Sequence, residues 1–183
     1  MKSSDIPNII TVFRFLLVPP LVLVLLQEQF GLALLIFGIA GFSDGLDGYL
    51  AKRFNWTSRL GALMDPLADK LLLVSSFMTL GWLQRIPLWL VGVVILRDLV
   101  IVGGALVYNF RIERLEAEPS MVSKLNTFTQ IMLVLAVLLS QVVTGLPYLW
   151  MDVLLYCVLV TTLWSGFDYV LRWSRRALRK GAH

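Results

Sequence analysis

Six long apolar stretches divide the sequence and leave little polar surface between them. To within a few residues they cover 9–26, 30–50, 63–83, 87–110, 125–143 and 148–171. A helix that crosses a bilayer takes about 20 residues, and charged residues make up only 15% of the chain, against roughly a quarter in soluble domains. The sequence therefore predicts an all-α membrane bundle of about six transmembrane helices in a single domain, residues 1–183. Water-soluble enzyme folds are excluded.

The start of the chain is less uniformly apolar. Polar Asn8, Thr11 and Arg14 alternate with apolar residues at roughly helical spacing, which predicts an N-terminal helix lying in the membrane interface. Further on, Pro19 and Pro20 predict a bend or an interruption in the first span, because proline removes a backbone donor and crowds the preceding turn.

Positive charge is concentrated on one side of the predicted bundle. An even number of spans puts both termini on the same side, together with the basic loops and the basic tail: Lys52, Arg53, Arg59, Arg111, Arg114, Lys124, Arg172, Arg175, Arg176, Arg179 and Lys180. The loops on the other side contribute only Arg85. Basic loops stay in the cytoplasm, so both termini are predicted to be cytoplasmic. The net charge of +4 is then a topology signal, and no nucleic-acid partner is expected.

Four aspartates stand at the cytoplasmic ends of the second and third spans, where acids are expensive and usually functional. The second span carries two acids and two small residues at i, i+3, i+4 and i+7: Asp44, Asp47, Gly48 and Ala51. The third span carries a glycine and two acids at i, i+4 and i+8: Gly61, Asp65 and Asp69. On helices each set shares one face, so two adjacent helices bring four carboxylates together.

Four carboxylates in one place repel one another unless cations neutralise them. Oxygen ligands without His or Cys suit Mg²⁺, Mn²⁺ or Ca²⁺, and a pair of such ions about 4 Å apart serves phosphate-ester chemistry. Any single aspartate is explained equally well as a helix cap or as the partner of Lys52 or Lys70. Close helix packing explains the glycines taken alone, but it does not explain acids and small residues in phase on two helices.

The same residues form a long gapped motif, D-x-x-D-G-x-x-A-R, then eight residues, then G-x-x-x-D-x-x-x-D. This motif resembles the signature of the CDP-alcohol phosphatidyltransferases, and the resemblance extends over nearly the whole chain. Lys52 stands in place of the arginine, with Arg53 next to it. Lysine keeps the charge but lacks the two-pronged guanidinium.

The resemblance implies transfer of a phosphatidyl group from CDP-diacylglycerol to an alcohol, with release of CMP, at a bacterial cytoplasmic membrane. It implies two divalent ions, Mg²⁺ or Mn²⁺, held by Asp44, Asp47 and Asp65. Asp69 would complete this metal site and act as the catalytic base that deprotonates the acceptor hydroxyl. The implied nucleotide-binding residues are Gly48, Ala51, Lys52 and Gly61. Members of this family are commonly homodimers.

The acceptor alcohol depends on a stretch that opens the fifth span, S-K-L-N-T-F-T-Q at 123–130. Phosphatidylglycerophosphate synthases typically resemble G-K-x-K-T-x-x-Q there, so Asn126 replaces a lysine. Glycerol 3-phosphate is nearly dianionic and benefits from several cations, whereas phosphatidylglycerol carries one diester charge. The resemblance therefore favours phosphatidylglycerol, as in CMP-forming cardiolipin synthases, with glycerol 3-phosphate as the alternative. Arg59, Arg97 and Lys124 are candidates for the acceptor phosphate in either case, and an ion pair with Asp98 explains Arg97 equally well.

Two other classes of protein use intramembrane acids. A membrane prenyltransferase pairs aspartate-rich motifs with Mg²⁺ but ordinarily has more helices than this chain supplies. A cation carrier places its carboxylates near the bilayer midplane, whereas these four are predicted near one face.

Overall fold

We describe a computed structural model of the chain, in which residues 6–54, 59–111, 120–143 and 148–180 are placed. These ranges contain six helices: α1 (Ile6–Leu26), α2 (Phe30–Phe54), α3 (Arg59–Trp82), α4 (Leu88–Arg111), α5 (Met121–Val142) and α6 (Tyr148–Lys180). Within them there is no β-strand. The all-α prediction is confirmed, and each of the six apolar stretches corresponds to one helix.

Helix α1 is continuous from Ile6 to Leu26 and contains both prolines, so the chain is not interrupted there, and the bend offered as the other outcome stays a prediction. Each proline removes only one backbone donor. Val18 and Leu21, on either side of the pair, are buried in the packing of α1 against α2 and α3, which holds the helix together. The predicted interfacial segment forms the first turns of α1 rather than a helix of its own, and its place in the interface stays a prediction.

The chain divides into two compact units. The first contains Met1–Ile86 and Val134–Leu146, and the second contains Pro87–Leu133 and Pro147–His183. Helix α1 packs on α2 and α3 in the first unit, and α4 packs on α6 in the second. The core of the first includes Leu21, Phe37 and Phe77, and that of the second includes Leu90, Val94 and Val158. The single domain over residues 1–183 stays a prediction.

The same turn ends α1 and α3. Glu28 and Gln84 have positive φ angles of 55° and 57°, the left-handed conformation that closes a Schellman motif. The Gln29 amide donates to the Val24 carbonyl at 3.0 Å, and the Arg85 amide donates to the Leu80 carbonyl at 2.9 Å. These bonds satisfy carbonyl groups that a helix end leaves without partners.

Two of the described helices have segments long and apolar enough to cross a membrane, Met121–Val142 and Trp150–Arg172. Shorter apolar segments are found in α1 (Thr11–Leu26) and α2 (Phe30–Gly45). Helix α6 also leaves large aromatic side chains uncovered, with Trp150 70% and Phe167 65% exposed. Exposed apolar surface of this kind is typical of a face that contacts lipid or another protein.

Candidate functional site

A buried arginine of α1 lies between acids of two other helices. The Arg14 side chain is 0% exposed, and its Nη2 lies 3.0 Å from Asp44 Oδ1 on α2. Its Nη1 donates to Asp69 Oδ1 on α3 at 2.5 Å. The two aspartate side chains remain 46% and 39% exposed. The guanidinium is therefore covered by protein, while both carboxylates stay open to ions and solutes.

A third aspartate of the motif is held one helical turn away. The Thr11 hydroxyl, on the same face of α1 as Arg14, donates to Asp65 Oδ1. Because Thr11 meets Asp65 and Arg14 meets Asp69, α1 and α3 run in the same direction past one another. Three of the four predicted aspartates, from two helices, thus converge on α1.

The remaining motif residues lie on the same two helices. Helix α2 continues to Phe54 and α3 begins at Arg59, so the helical backbone on which the spacing argument depends is confirmed. The side chains at Asp47, Gly48, Ala51, Lys52, Arg59 and Gly61 fall outside the described residues, and their predicted roles stay predictions.

The metal site is described only in part. Among the described side chains, no three of the types His, Cys, Asp and Glu come close enough together to hold an ion, and Asp47 is outside that set. The donors that are described fit a hard divalent cation by their chemistry, since they are carboxylate oxygens, and Asp44 and Asp69 are solvent-accessible. Arg14 already engages one oxygen of each of these two.

Thr11 and Arg14 are the site residues that the sequence reasoning missed, because it assigned their segment to the membrane interface. The signal was present. Thr11 and Arg14, three positions apart, share one face of a largely apolar helix, and Asp65 and Asp69, four positions apart, share one face of α3. Polar groups on such a helix need polar partners, and the motif acids are those partners.

A second polar cluster lies in the other unit, around Arg97 of α4. Arg97 is 6% exposed, and its Nη1 donates to Asp98 Oδ1 at 2.8 Å. Its Nη2 donates to the hydroxyls of Ser123 on α5, at 2.7 Å, and Ser165 on α6. The ion pair with Asp98, which the sequence offered as an alternative explanation of Arg97, is present. Arg97 also ties together α4, the start of α5 and α6.

Asn126 belongs to the same unit and is fully buried. Its Oδ1 accepts hydrogen bonds from Thr161 and Thr162 of α6, at 3.1 and 2.8 Å. Its Nδ2 and the Nε2 of Gln130, one turn along α5, are buried and have no hydrogen-bond partner among the described residues. Lys124, the other acceptor candidate on α5, is exposed. The described hydrogen-bond partners of Asn126 are therefore neutral hydroxyls.

Residues 4–164 match the model of the family described as CDP-alcohol phosphatidyltransferase. The chain is 31% identical over 180 residues to a protein of Rattus norvegicus named cardiolipin synthase (CMP-forming), which covers 90% of this chain and 60% of the rat protein. It is 42% identical over 111 residues to the Streptomyces coelicolor protein of the same name, covering 56% of this chain and 52% of that protein.

A Mycobacterium tuberculosis protein named putative cardiolipin synthase is 32% identical over 173 residues, covering 92% of this chain and 79% of that protein. The chain thus spans 60% or less of the length of the rat and Streptomyces relatives. The family match takes in all four motif aspartates, Arg97 with Asp98 and Ser123, and most of both compact units. The protein belongs to the CDP-alcohol phosphatidyltransferase family.

Proposed function

We propose that this protein transfers the phosphatidyl group of CDP-diacylglycerol to a glycerol-type hydroxyl, with release of CMP, and that the acceptor is phosphatidylglycerol. The observation that carries the reaction is the convergence of Asp44, Asp65 and Asp69 on Thr11 and Arg14. Family membership and the names of the relatives support it. The product of this reaction is cardiolipin.

In the proposed reaction the acceptor hydroxyl oxygen bonds to the phosphatidyl phosphorus, and the bond from that phosphorus to the CMP oxygen breaks. Asp69 takes the hydroxyl proton, and its partial exposure gives the acceptor access to it. Asp44, Asp47 and Asp65, with Asp69, are the proposed ligands of two divalent ions, Mg²⁺ or Mn²⁺. When bound, such ions neutralise charge on phosphate oxygens and on the leaving group.

The nucleotide is proposed to lie against Gly48, Ala51 and Gly61, where small side chains let phosphates approach the backbone. Lys52 supplies a positive charge beside it. The support for these roles is positional, since all four residues lie on α2 or α3 within one or two turns of the described aspartates.

The neutral side chain of Asn126 and its neutral hydrogen-bond partners favour phosphatidylglycerol over glycerol 3-phosphate. Arg97 gives one of its terminal nitrogens to Asp98, so the buried pair carries no net charge. A near-dianionic phosphate benefits from several cations, whereas a monoanionic diester needs fewer. Arg97, Lys124 and Arg59 are each proposed as a candidate for the acceptor phosphate. Glycerol 3-phosphate remains the second candidate acceptor.

We further propose that all six helices span a bacterial cytoplasmic membrane as one domain, with both termini and the acid site on the cytoplasmic side. The exposed apolar side chains of α6 support lipid contact, and the basic loops and tail support the orientation. The family match across both units supports a single domain. The assembly is proposed to be a homodimer.

Purified protein given CDP-diacylglycerol with a labelled cytidine, together with one acceptor, tests the proposal. We expect labelled CMP to be released in the presence of Mg²⁺ or Mn²⁺ and to be lost when the ions are chelated. Phosphatidylglycerol should yield cardiolipin. If phosphatidylglycerophosphate is the sole product, the acceptor assignment is wrong while the reaction class stands.

A cation carrier is the alternative from another class. Release of no CMP under any metal condition, with metal-ion flux into liposomes that contain the protein, would favour the carrier over the transferase.

A further inference from the structure

We propose that Arg14 is a built-in counter-cation of the acid site, which weakens divalent metal binding until a phosphate-bearing substrate is present. This inference rests on the proposed metal site. It differs from a purely structural role for Arg14 in the direction of the effect, because removing the guanidinium is then expected to tighten metal binding.

The Arg14 guanidinium lies between two of the proposed metal ligands. Arg14 contacts one oxygen of Asp44 and one of Asp69, and both residues are proposed metal ligands. A divalent ion that binds these carboxylates either shares them with Arg14 or displaces it. In both cases the positive charge of Arg14 opposes the positive charge of the ion.

The positive charge of Arg14 is buried in the protein. The Arg14 side chain is 0% exposed, so water and salt screen its charge far less than they screen a surface charge. Arg85, in the same compact unit, shows the contrast, since it is 38% exposed where it meets Glu28 at 3.3 Å. Repulsion between Arg14 and an incoming cation is therefore large enough to affect affinity.

The formal charge of the acid site changes sign when two divalent ions bind. The four motif carboxylates and Arg14 together carry a formal charge of −3, and two divalent ions turn that into +1. A site with net positive charge holds its second ion weakly, and an anionic pyrophosphate removes the excess. Metal and pyrophosphate then increase each other's affinity, which is a reciprocal coupling. Without Arg14 the two-metal site is neutral, and the coupling is smaller.

The test is Mn²⁺ binding to the full-length protein in detergent, followed through the electron paramagnetic resonance signal of free Mn²⁺, with and without inorganic pyrophosphate. Arg14→Met removes both the charge and the hydrogen bonds, while Arg14→Gln keeps donors without the charge. Both variants should bind Mn²⁺ at least about tenfold more tightly than the wild type, and pyrophosphate should enhance their binding less.

Two further variants serve as controls. Arg14→Lys keeps the charge and should bind Mn²⁺ close to wild-type affinity. Arg85→Met is the same chemical change in the same unit, but it breaks an exposed ion pair away from the acids, and it should leave Mn²⁺ affinity unchanged.

Weaker or unchanged Mn²⁺ binding in Arg14→Gln overturns the proposal and assigns Arg14 to positioning the carboxylates. If Arg14→Met does not fold, Arg14→Gln decides the question, since its amide keeps N–H donors on a polar side chain. A wild-type protein that binds no Mn²⁺ even with pyrophosphate overturns the metal site itself, and this inference with it.

Discussion

The Asp69 carboxylate pairs with Arg14 and is also the proposed general base. Its Oδ1 pairs with Arg14 at 2.5 Å, while the proposed reaction needs the same side chain to accept a proton from the acceptor hydroxyl. The partial exposure of Asp69 reconciles the two, because the carboxylate is held from the protein side and stays open to substrate. A fixed and accessible base is the arrangement that general base catalysis requires.

Asp69→Asn is expected to lower the rate of CMP release by about 10²–10⁴-fold, the usual contribution of a general base. The amide keeps the size of the side chain but does not take the proton. Initial rates with labelled CDP-diacylglycerol measure the effect. Asp152→Asn, at an exposed position on α6, is the matched control and should keep the wild-type rate. A wild-type rate in Asp69→Asn would show that another group is the base.

Arg97→Lys is expected to raise the KM for the acceptor by about tenfold and to leave the KM for CDP-diacylglycerol unchanged. Arg97 donates to Asp98, Ser123 and Ser165 with two terminal nitrogens, and a lysine ammonium does not reproduce that fork. Losing one charge-assisted bond costs about 1.5–3 kcal/mol. Arg172→Lys changes an exposed pair with Asp168 on α6 and serves as the control. Equal changes in both KM values would argue against an acceptor role.

Helices α1 and α3 end at residues that rarely adopt the left-handed conformation. Both helices end without glycine at the left-handed position, where Glu28 and Gln84 stand instead. A side chain in that conformation costs about 1–2 kcal/mol relative to glycine. Glu28 offsets part of this cost through its ion pair with Arg85, whereas no side-chain bond of Gln84 is described.

Gln84→Gly is therefore expected to stabilise the protein by about 1 kcal/mol, because glycine adopts positive φ without steric cost. The corresponding increase in Tm is about 2–4 °C for a chain of this size, measured by thermal unfolding in detergent. Gln84→Ala removes the same side chain but keeps Cβ, so it should give no such gain. If the alanine variant is equally stabilised, the strain is not in the backbone.

The positions of the helices were largely predictable from the sequence, whereas the continuity of α1 was not. Apolar stretches of bilayer length located all six helices, because that pattern depends only on local composition. The uninterrupted passage of α1 through Pro19 and Pro20 depends on packing around Val18 and Leu21, which composition does not reveal. The aspartates were singled out by their spacing, whereas Arg14 was assigned to the membrane interface because its partners, more than 25 positions away in the chain, were not visible in the local pattern.

The proposed topology places Ala182 on the cytoplasmic side of the membrane and Gly145 on the opposite side. The native Cys157 is the only cysteine, so a Cys157→Ser background allows single cysteines to be introduced by Ala182→Cys or Gly145→Cys. A membrane-impermeant maleimide should label position 182 only in inside-out vesicles and position 145 only in right-side-out vesicles, since basic segments stay in the cytoplasm.

Labelling of both positions from the same side would contradict a membrane crossing by α6. Labelling of position 182 from the outside would reverse the orientation of the acid site. Vesicles made without the introduced cysteines give the background, because the Cys157→Ser chain has no thiol.

Helices α1 and α3 are fastened near both ends, and this limits how they can move. At one end Thr11 and Arg14 hold Asp65 and Asp69, and at the other Glu28 holds Arg85, whose guanidinium also lies 5.4 Å from the Phe30 ring centroid. A slip of one helix past the other by one turn, about 5.4 Å, would break both fastenings together. The buried contacts of Arg14 thus set the register of the acids on α3 against α1, the exposed Arg85 pair supports the far end of the two helices, and amide hydrogen exchange along both should be cooperative rather than graded from one end.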